Sequence, residues 1–411
     1  MDTNRRDFIK YMGVATATST LLAAGVVPSI AANSDAAAKK QSPIFDNIKI
    51  GSLTLKNRMI RSATSDCRAD ANGNPTADLI RVYNELAVGG AGMIISGVTY
   101  ILKEDQFAAD GSGFYDDSQI EAYKEFTENV HKSGSKICIQ LAIFGSKRNY
   151  NVENTRIYAP VPLKDPAYGT VAKEGMTKEE IKRGVDAFAK AAVMSREAGF
   201  DAVELHFAHN YLLHNFLVPY LNTRTDEYGG KEVENRARFA FEILEAVRKA
   251  VGKDFAVIAK MEGNDYFGRE GNKQEDINYI AQGLADRGLD ALEITGGNWV
   301  MPVNPIYKDI LSKEDHNYFA RDARNITKSV KIPMILTGGV RNVEMMEESL
   351  KYNKNLIGFG MGRTLLCEPD LPHKWEKDNS YNPKCISCNW CIERLFQEGV
   401  RLQCQFRRDK A

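Results

Sequence analysis

The feature that most restricts the fold is a series of eight short apolar runs spread along the chain. They are Arg58–Ser62, Gly92–Ser96, Lys136–Leu141, Ala202–Leu205, Ala256–Met261, Ala291–Thr295, Pro333–Leu336 and Leu356–Gly360. Each run is continuous rather than alternating and rich in Ile, Val, Leu or Met, as in strands covered on both faces. Between them lie segments such as Lys178–Ala198 and Glu234–Val251, whose apolar residues recur every three or four positions, the period of a helix face. Strand–helix alternation repeated eight times predicts a parallel (β/α)8 barrel. An open doubly wound sheet is the alternative, and eight even units favour closure.

The chain has 411 residues, about right for one large barrel with attachments. Lys+Arg and Asp+Glu both number 54, so no net charge draws it toward nucleic acid or an anionic membrane. The N-terminus is a different kind of segment. Arg5-Arg6-Asp7-Phe8-Ile9-Lys10 precedes the apolar stretch Tyr11–Val27, and Ser29-Ile30-Ala31 offers small residues for cleavage. Residues 1–31 therefore read as a twin-arginine signal peptide, with an ordinary secretory signal or uncleaved anchor as the alternative. That route carries folded proteins and predicts a periplasmic or other extracytoplasmic location. An Ala/Lys/Asp-rich linker follows, over residues 32–43. No later segment holds 18 consecutive apolar residues, so the mature chain is expected not to insert stably in a membrane. The expected layout continues with a barrel over 44–377 and a Cys-rich segment over 378–411.

Chemistry in such barrels sits at the C-terminal ends of the strands. Here those ends carry polar or small residues. The fourth run leads into His206-Phe-Ala-His209-Asn-Tyr211, the third holds Gln140, and the fifth ends at Lys260-Met261-Glu262. The seventh leads into Gly338-Gly339 and the eighth into Gly362-Arg363. Glycine lets the backbone approach an anion and arginine adds a forked donor, so these last two turns predict a phosphate site. No G-x-G-x-x-G follows a strand, which argues against a Rossmann dinucleotide site.

Three blocks then become recognisable: Glu204-Leu-His206-Phe-Ala-His209-Asn-Tyr211, Asn222-Thr-Arg224-Thr-Asp226-Glu-Tyr228-Gly-Gly and Glu234-Asn-Arg236-Ala-Arg-Phe239. With Lys56-Asn-Arg-Met-Ile-Arg-Ser62-Ala63-Thr64 and Gly360-Met-Gly362-Arg363, they resemble the old yellow enzyme family of FMN-dependent oxidoreductases, over roughly 44–377. The resemblance implies FMN across the barrel mouth. Ser62, Ala63, Thr64 and Gly97 would face the isoalloxazine, and Gln140 would bond its pyrimidine ring. Gly338, Gly339, Gly362 and Arg363 would hold the phosphate. Lys260 stands where many members carry arginine beside the flavin, which keeps a cation but not the fork.

The resemblance also implies reduction of an alkene conjugated to a carbonyl in a small unsaturated substrate. FMN would provide the hydride, His206 and His209 would bind the carbonyl oxygen, and Tyr211 would protonate. Three of the six histidines fall within 206–214; His214 is expected to pack rather than react. Glu234, Asn235, Arg236, Arg224 and Asp226 are expected to be scaffold, and Trp299 is read as either site wall or packing.

Cys385, Cys388, Cys391 and Cys404 form C-x2-C-x2-C-x12-C, whereas Cys67, Cys138 and Cys367 are scattered. Thiolates at two-residue spacing reach neighbouring irons of one cubane, and the same spacing occurs in the iron–sulfur branch of the family that includes trimethylamine dehydrogenase. A [4Fe–4S] cluster is the expectation, with zinc or two disulfides as alternatives. Relatives with this cluster often continue into domains for a second flavin and a nicotinamide nucleotide, which are expected to be absent from a chain that stops at Ala411. The electrons would then come from an external one-electron donor protein. Competing readings are amine oxidation and a flavin–cluster electron-transfer protein.

Overall fold

The structure is a computed structural model that describes residues 42–147, 156–164, 171–297, 306–310, 312–395 and 401–410. Residues 1–31, read above as a signal peptide, nearly all of the segment read as a linker, and Trp299 lie outside the described residues. All eight apolar runs form strands: β1 (Met59–Arg61), β2 (Met93–Tyr100), β3 (Lys136–Ala142), β4 (Ala202–Phe207), β5 (Ala256–Glu262), β6 (Ala291–Thr295), β7 (Met334–Thr337) and β8 (Leu356–Met361). They pair in parallel, in chain order, and β8 returns to β1 to close the barrel. Continuous apolar runs suit this position, because one face meets the barrel interior and the other meets the helices. The two helices anticipated from periodicity are α1 (Lys178–Glu197) and α2 (Val233–Val251). α1 starts at a capping box in which Thr177 and Glu180 satisfy each other's backbone N–H groups.

Two features determine which end of the barrel is open. A short antiparallel hairpin, Ile48–Ile50 with Leu53–Leu55, packs on interior residues Ile60, Met93, Ile95, Ile258 and Ile335 and plugs the N-terminal end. Truncating one of these, such as Ile258→Ala, would cost about 2–5 kcal/mol through lost transfer and a cavity. The C-terminal ends are left as the mouth. There β2 departs from regular pairing with β3, where the register shifts between Ile95 and Val98. No described helix is long and apolar enough to cross a membrane.

Candidate active site

The mouth holds a cavity of about 280 Å³. Almost all the residues expected to meet flavin or substrate border it: Ser62, Ala63 and Thr64 after β1, Gln140 on β3 and Lys260 on β5. His206, His209 and Tyr211 line the β4 side, and Gly338, Gly339, Gly362 and Arg363 the β7–β8 side. Gly97 is not among the lining residues. Its N–H bonds the Tyr83 hydroxyl at 2.6 Å, and an added Cβ would lie 2.7 Å from the Thr64 carbonyl oxygen. The irregularity in β2 brings its neighbour Val98 to the cavity instead.

The β4 loop turns sharply. His209 and Asn210 both take left-handed backbone, at φ 59° and 61°, a conformation that strains residues with a Cβ. Two partners pin the turn. Glu262 Oε1 accepts the His209 N–H at 2.7 Å, and His214 Nδ1 accepts the Asn210 N–H at 3.1 Å. His214 thus supports the loop from below, with its Nε2 3.3 Å from Glu262 Oε2. The result sets the ring of His206 4.3 Å from that of Tyr211 and 5.4 Å from that of His209. His209 Nε2 also contacts Thr295 Oγ1 at 3.0 Å. Burial, followed by His209 and Lys260, holds His206 well below the usual histidine range, so it is neutral. Its Nδ1 is buried without a protein partner. A neutral imidazole with an unused nitrogen beside a cavity is ready to bond a ligand oxygen.

Beside this loop, Cys67, Val98, Phe107 and Phe144 form an apolar part of the lining, on which Tyr211 packs. The Phe107 and Phe144 rings stack with centroids 4.1 Å apart, and Tyr211 meets Phe144 edge-on at 4.8 Å. The cavity can therefore take a planar apolar group on one side and a carbonyl oxygen on the other.

At the β7–β8 end, Gly338 and Gly339 have φ 108° and 70°, and a Cβ on either would lie within 2.8 Å of the Tyr318 ring. Both the conformation and the aromatic contact demand glycine there. Arg363 donates to the Tyr307 carbonyl at 2.6 Å and to Asn389, so its guanidinium ties the cavity to the Cys-rich segment. Arg341, which the sequence reading passed over, does the same through the Cys385 carbonyl and Ser387 Oγ, the latter at 2.9 Å. Its signal was its place two residues beyond the Gly338-Gly339 turn. Left-handed glycine backbone, the Arg363 guanidinium at the cavity lining and the unpartnered His206 nitrogen together fit FMN in donor type.

Cys385, Cys388, Cys391 and Cys404 line one small cavity beside the first, and Cys385 borders both. All are free thiols. Three are buried, and Gln405 Nε2 donates to Cys388 Sγ at 3.2 Å. The donor set suits iron–sulfur ligation, although among the described residues no three His, Cys, Asp or Glu side chains are disposed as ligands of one ion. Cys367 is not the scattered residue it seemed: it packs on Cys404, and its hydrogen bond holds the Cys404 thiol down to about 7.

Of the residues expected to be scaffold, Arg236, Arg224 and Asp226 are tied into the fold by hydrogen bonds. Arg236 is buried and donates to the Leu217 and Gly230 carbonyls at 3.0 and 3.1 Å. Arg224 forks onto Asp226 at 2.9 and 2.6 Å.

A closed parallel barrel whose mouth gathers anion donors, a buried cation and a histidine pair defines a flavin-binding oxidoreductase barrel. Residues 43–382 match the NADH:flavin oxidoreductase / NADH oxidase family, and the chain belongs to it. An NADH oxidase of Thermoanaerobacter brockii is 31% identical, over 88% of this chain and 55% of the relative. A cinnamate reductase of Clostridium sporogenes is 30% identical, over 86% and 56%. A solved 2-naphthoyl-CoA reductase superposes with a TM-score of 0.80 at 26% identity, covering 89% of this chain and 56% of that one. The chain thus spans little more than half the length of these relatives.

Proposed function

We propose that this protein reduces the carbon–carbon double bond of α,β-unsaturated carbonyl compounds, with electrons delivered through a [4Fe–4S] cluster. The observation that carries the reading is the convergence of His206, His209 and Tyr211 on one cavity, beside the apolar aromatic cluster of Phe107 and Phe144 on which Tyr211 packs. Ser62, Ala63, Thr64, Gln140 and Lys260 would hold the ring system of FMN, and Gly338, Gly339, Gly362 and Arg363 its phosphate; FMN bound there supplies the hydride. His206 and His209 donate to the substrate carbonyl and stabilise the charge that develops on its oxygen. Tyr211 delivers the proton to the α-carbon. Phe107 and Phe144 exclude water and seat an aryl or alkyl substituent. The chain's similarity to a cinnamate reductase and to a 2-naphthoyl-CoA reductase supports this reading.

Cys385, Cys388, Cys391 and Cys404 would hold the cluster, which when bound would supply one-electron transfer between an external donor protein and the flavin site. Arg5-Arg6 and the apolar stretch after them support export of the folded, cofactor-loaded chain by the twin-arginine route. The proposed layout is signal peptide 1–31, linker 32–43, barrel 44–377 and cluster segment 378–411. An anaerobic steady-state assay tests the proposal, pairing reduced viologen or NADH with enones and enoates, and an oxidised one-electron acceptor dye with amines. Alkene reduction driven by viologen and not by NADH is expected. Efficient turnover with NADH alone overturns the electron route, and amine oxidation without alkene reduction overturns the chemistry.

A further inference from the structure

Beneath the cavity floor, four barrel strands bring their side chains into one buried polar group. Gln140 and Glu204 are register partners across β3 and β4, and Lys260 and Glu293 across β5 and β6. Lys260 Nζ lies 3.0 Å from Glu293 Oε1 and 3.3 Å from Glu204 Oε2. Both glutamates are fully buried and Lys260 nearly so. One ammonium between two carboxylates would leave a net negative charge where water does not reach. Burial of that kind drives a proton onto the pair.

The donors show where that proton sits. Glu293 Oε1 accepts from Ser62 Oγ at 2.5 Å, from Thr337 Oγ1 and from Lys260. Glu204 Oε2 accepts from Gln140 Nε2 at 2.6 Å and, at the longer distance, from Lys260. One buried oxygen of each carboxyl, Glu204 Oε1 and Glu293 Oε2, has no donor. The two side chains are within hydrogen-bond reach of each other, so a proton on Glu204 supplies the donor the pair lacks. The carboxylate with more donors keeps its charge.

We infer that the trio is held as neutral Glu204, anionic Glu293 and cationic Lys260, and that Glu293 is a positioning residue that neutralises Lys260 toward the flavin site above it. Burial and the neighbouring Glu293 push Glu204 far above the carboxylate range. Against its own burial, Lys260 and the hydrogen bond from Glu204 hold Glu293 down to about 2. The other groups facing the trio, Ser62, Gln140, Thr337 and the Cys138 thiol, which burial keeps protonated, carry no charge. Lys260 spends its donors on Ser62, Glu204 and Glu293. Its positive potential at the cavity is therefore largely cancelled, and negative charge on a reduced flavin is stabilised less than by a free cation.

The test is the flavin midpoint potential of the FMN-loaded protein, measured by spectroelectrochemistry in the wild type, Glu204→Gln and the double variant Glu204→Gln/Glu293→Gln. With Glu204 replaced, no second carboxyl can release its proton and take over the pairing, so the double variant uncovers the Lys260 charge and should raise the equilibrium constant for flavin reduction about tenfold or more over Glu204→Gln, roughly 30 mV for a two-electron couple. Glu204→Gln replaces a neutral group by a neutral isostere and should shift it from the wild type by less than about threefold. No shift between Glu204→Gln and the double variant, or a comparable shift in Glu204→Gln alone, overturns the inference. A second measurement needs no loaded cofactor: the infrared spectrum near neutral pH should show a protonated carboxyl stretch in the wild type that is missing from Glu204→Gln. Identical spectra overturn the assignment even if the double variant fails to fold. A wild type without FMN would overturn the cofactor reading separately, because the infrared result still decides the proton.

Discussion

Glu262 carries much of the order of the histidine loop, and Glu262→Ala tests that directly. Its carboxylate accepts the buried His209 N–H at 2.7 Å and lies 3.3 Å from His214, which in turn accepts the Asn210 N–H. Two successive residues in left-handed backbone cost on the order of 1 kcal/mol each, so this turn persists only while something holds it. Removing the carboxylate leaves a buried donor unpaired, a loss of about 1.5–3 kcal/mol for a charge-assisted bond. Loss of the His214 contact adds about 1 kcal/mol. Glu262→Ala should therefore lower unfolding free energy by about 3 kcal/mol in a urea titration. The rate should fall further than stability alone explains. A histidine displaced by about 1 Å costs on the order of a hundredfold in single-turnover reduction of an enone. Glu262→Gln keeps an acceptor and should recover most of both losses. A Glu262→Ala protein within about 0.5 kcal/mol of wild type and unchanged in rate would refute the proposed role of the turn.

Other outcomes follow from the same geometry. His206→Asn should lower kcat about a hundredfold, as loss of one preorganised oxyanion donor does, with little change in melting temperature. Because burial depresses His206 in the folded state, the unfolded chain binds its proton first. Its contribution to stability is thus full above about 6.5 and is lost as pH falls below that value, so the acid side of a stability–pH curve should be shallower in His206→Asn. Phe144→Ala should raise KM for aryl-substituted enoates about tenfold over small enones, which loses roughly 1.5 kcal/mol of apolar contact. Cys404→Ser should lower bound iron and acid-labile sulfide, whereas Cys367→Ala, which removes a neighbour rather than a ligand, should keep them; equal loss in both would contradict that assignment.

The barrel was legible because strands covered on both faces read as unbroken apolar runs, and each run anticipated overlaps a barrel strand. The histidine loop was legible because its residues are close in sequence and lie at a strand end. Val98 shows where this kind of reading stops: a local irregularity in β2 brings its side chain to the cavity, and nothing in Ser96-Gly97-Val98 announces it. The Lys260–Glu293 pair was hidden for another reason: its members are 33 positions apart in sequence and meet only through strand register. Cys367 likewise reaches Cys404 only because the C-terminal segment folds back on the short helix Arg363–Cys367.

The most direct test of the central claim is an anaerobic single-turnover experiment on the purified protein reduced with dithionite. Mixed with an enone or a cinnamate-like acid, it should recover its oxidised flavin absorbance as the saturated product forms, with recovery slowed about a hundredfold in His206→Asn. A reduced flavin that stays reduced with every unsaturated carbonyl compound, or an oxidised flavin that is bleached by an amine instead, would contradict the account.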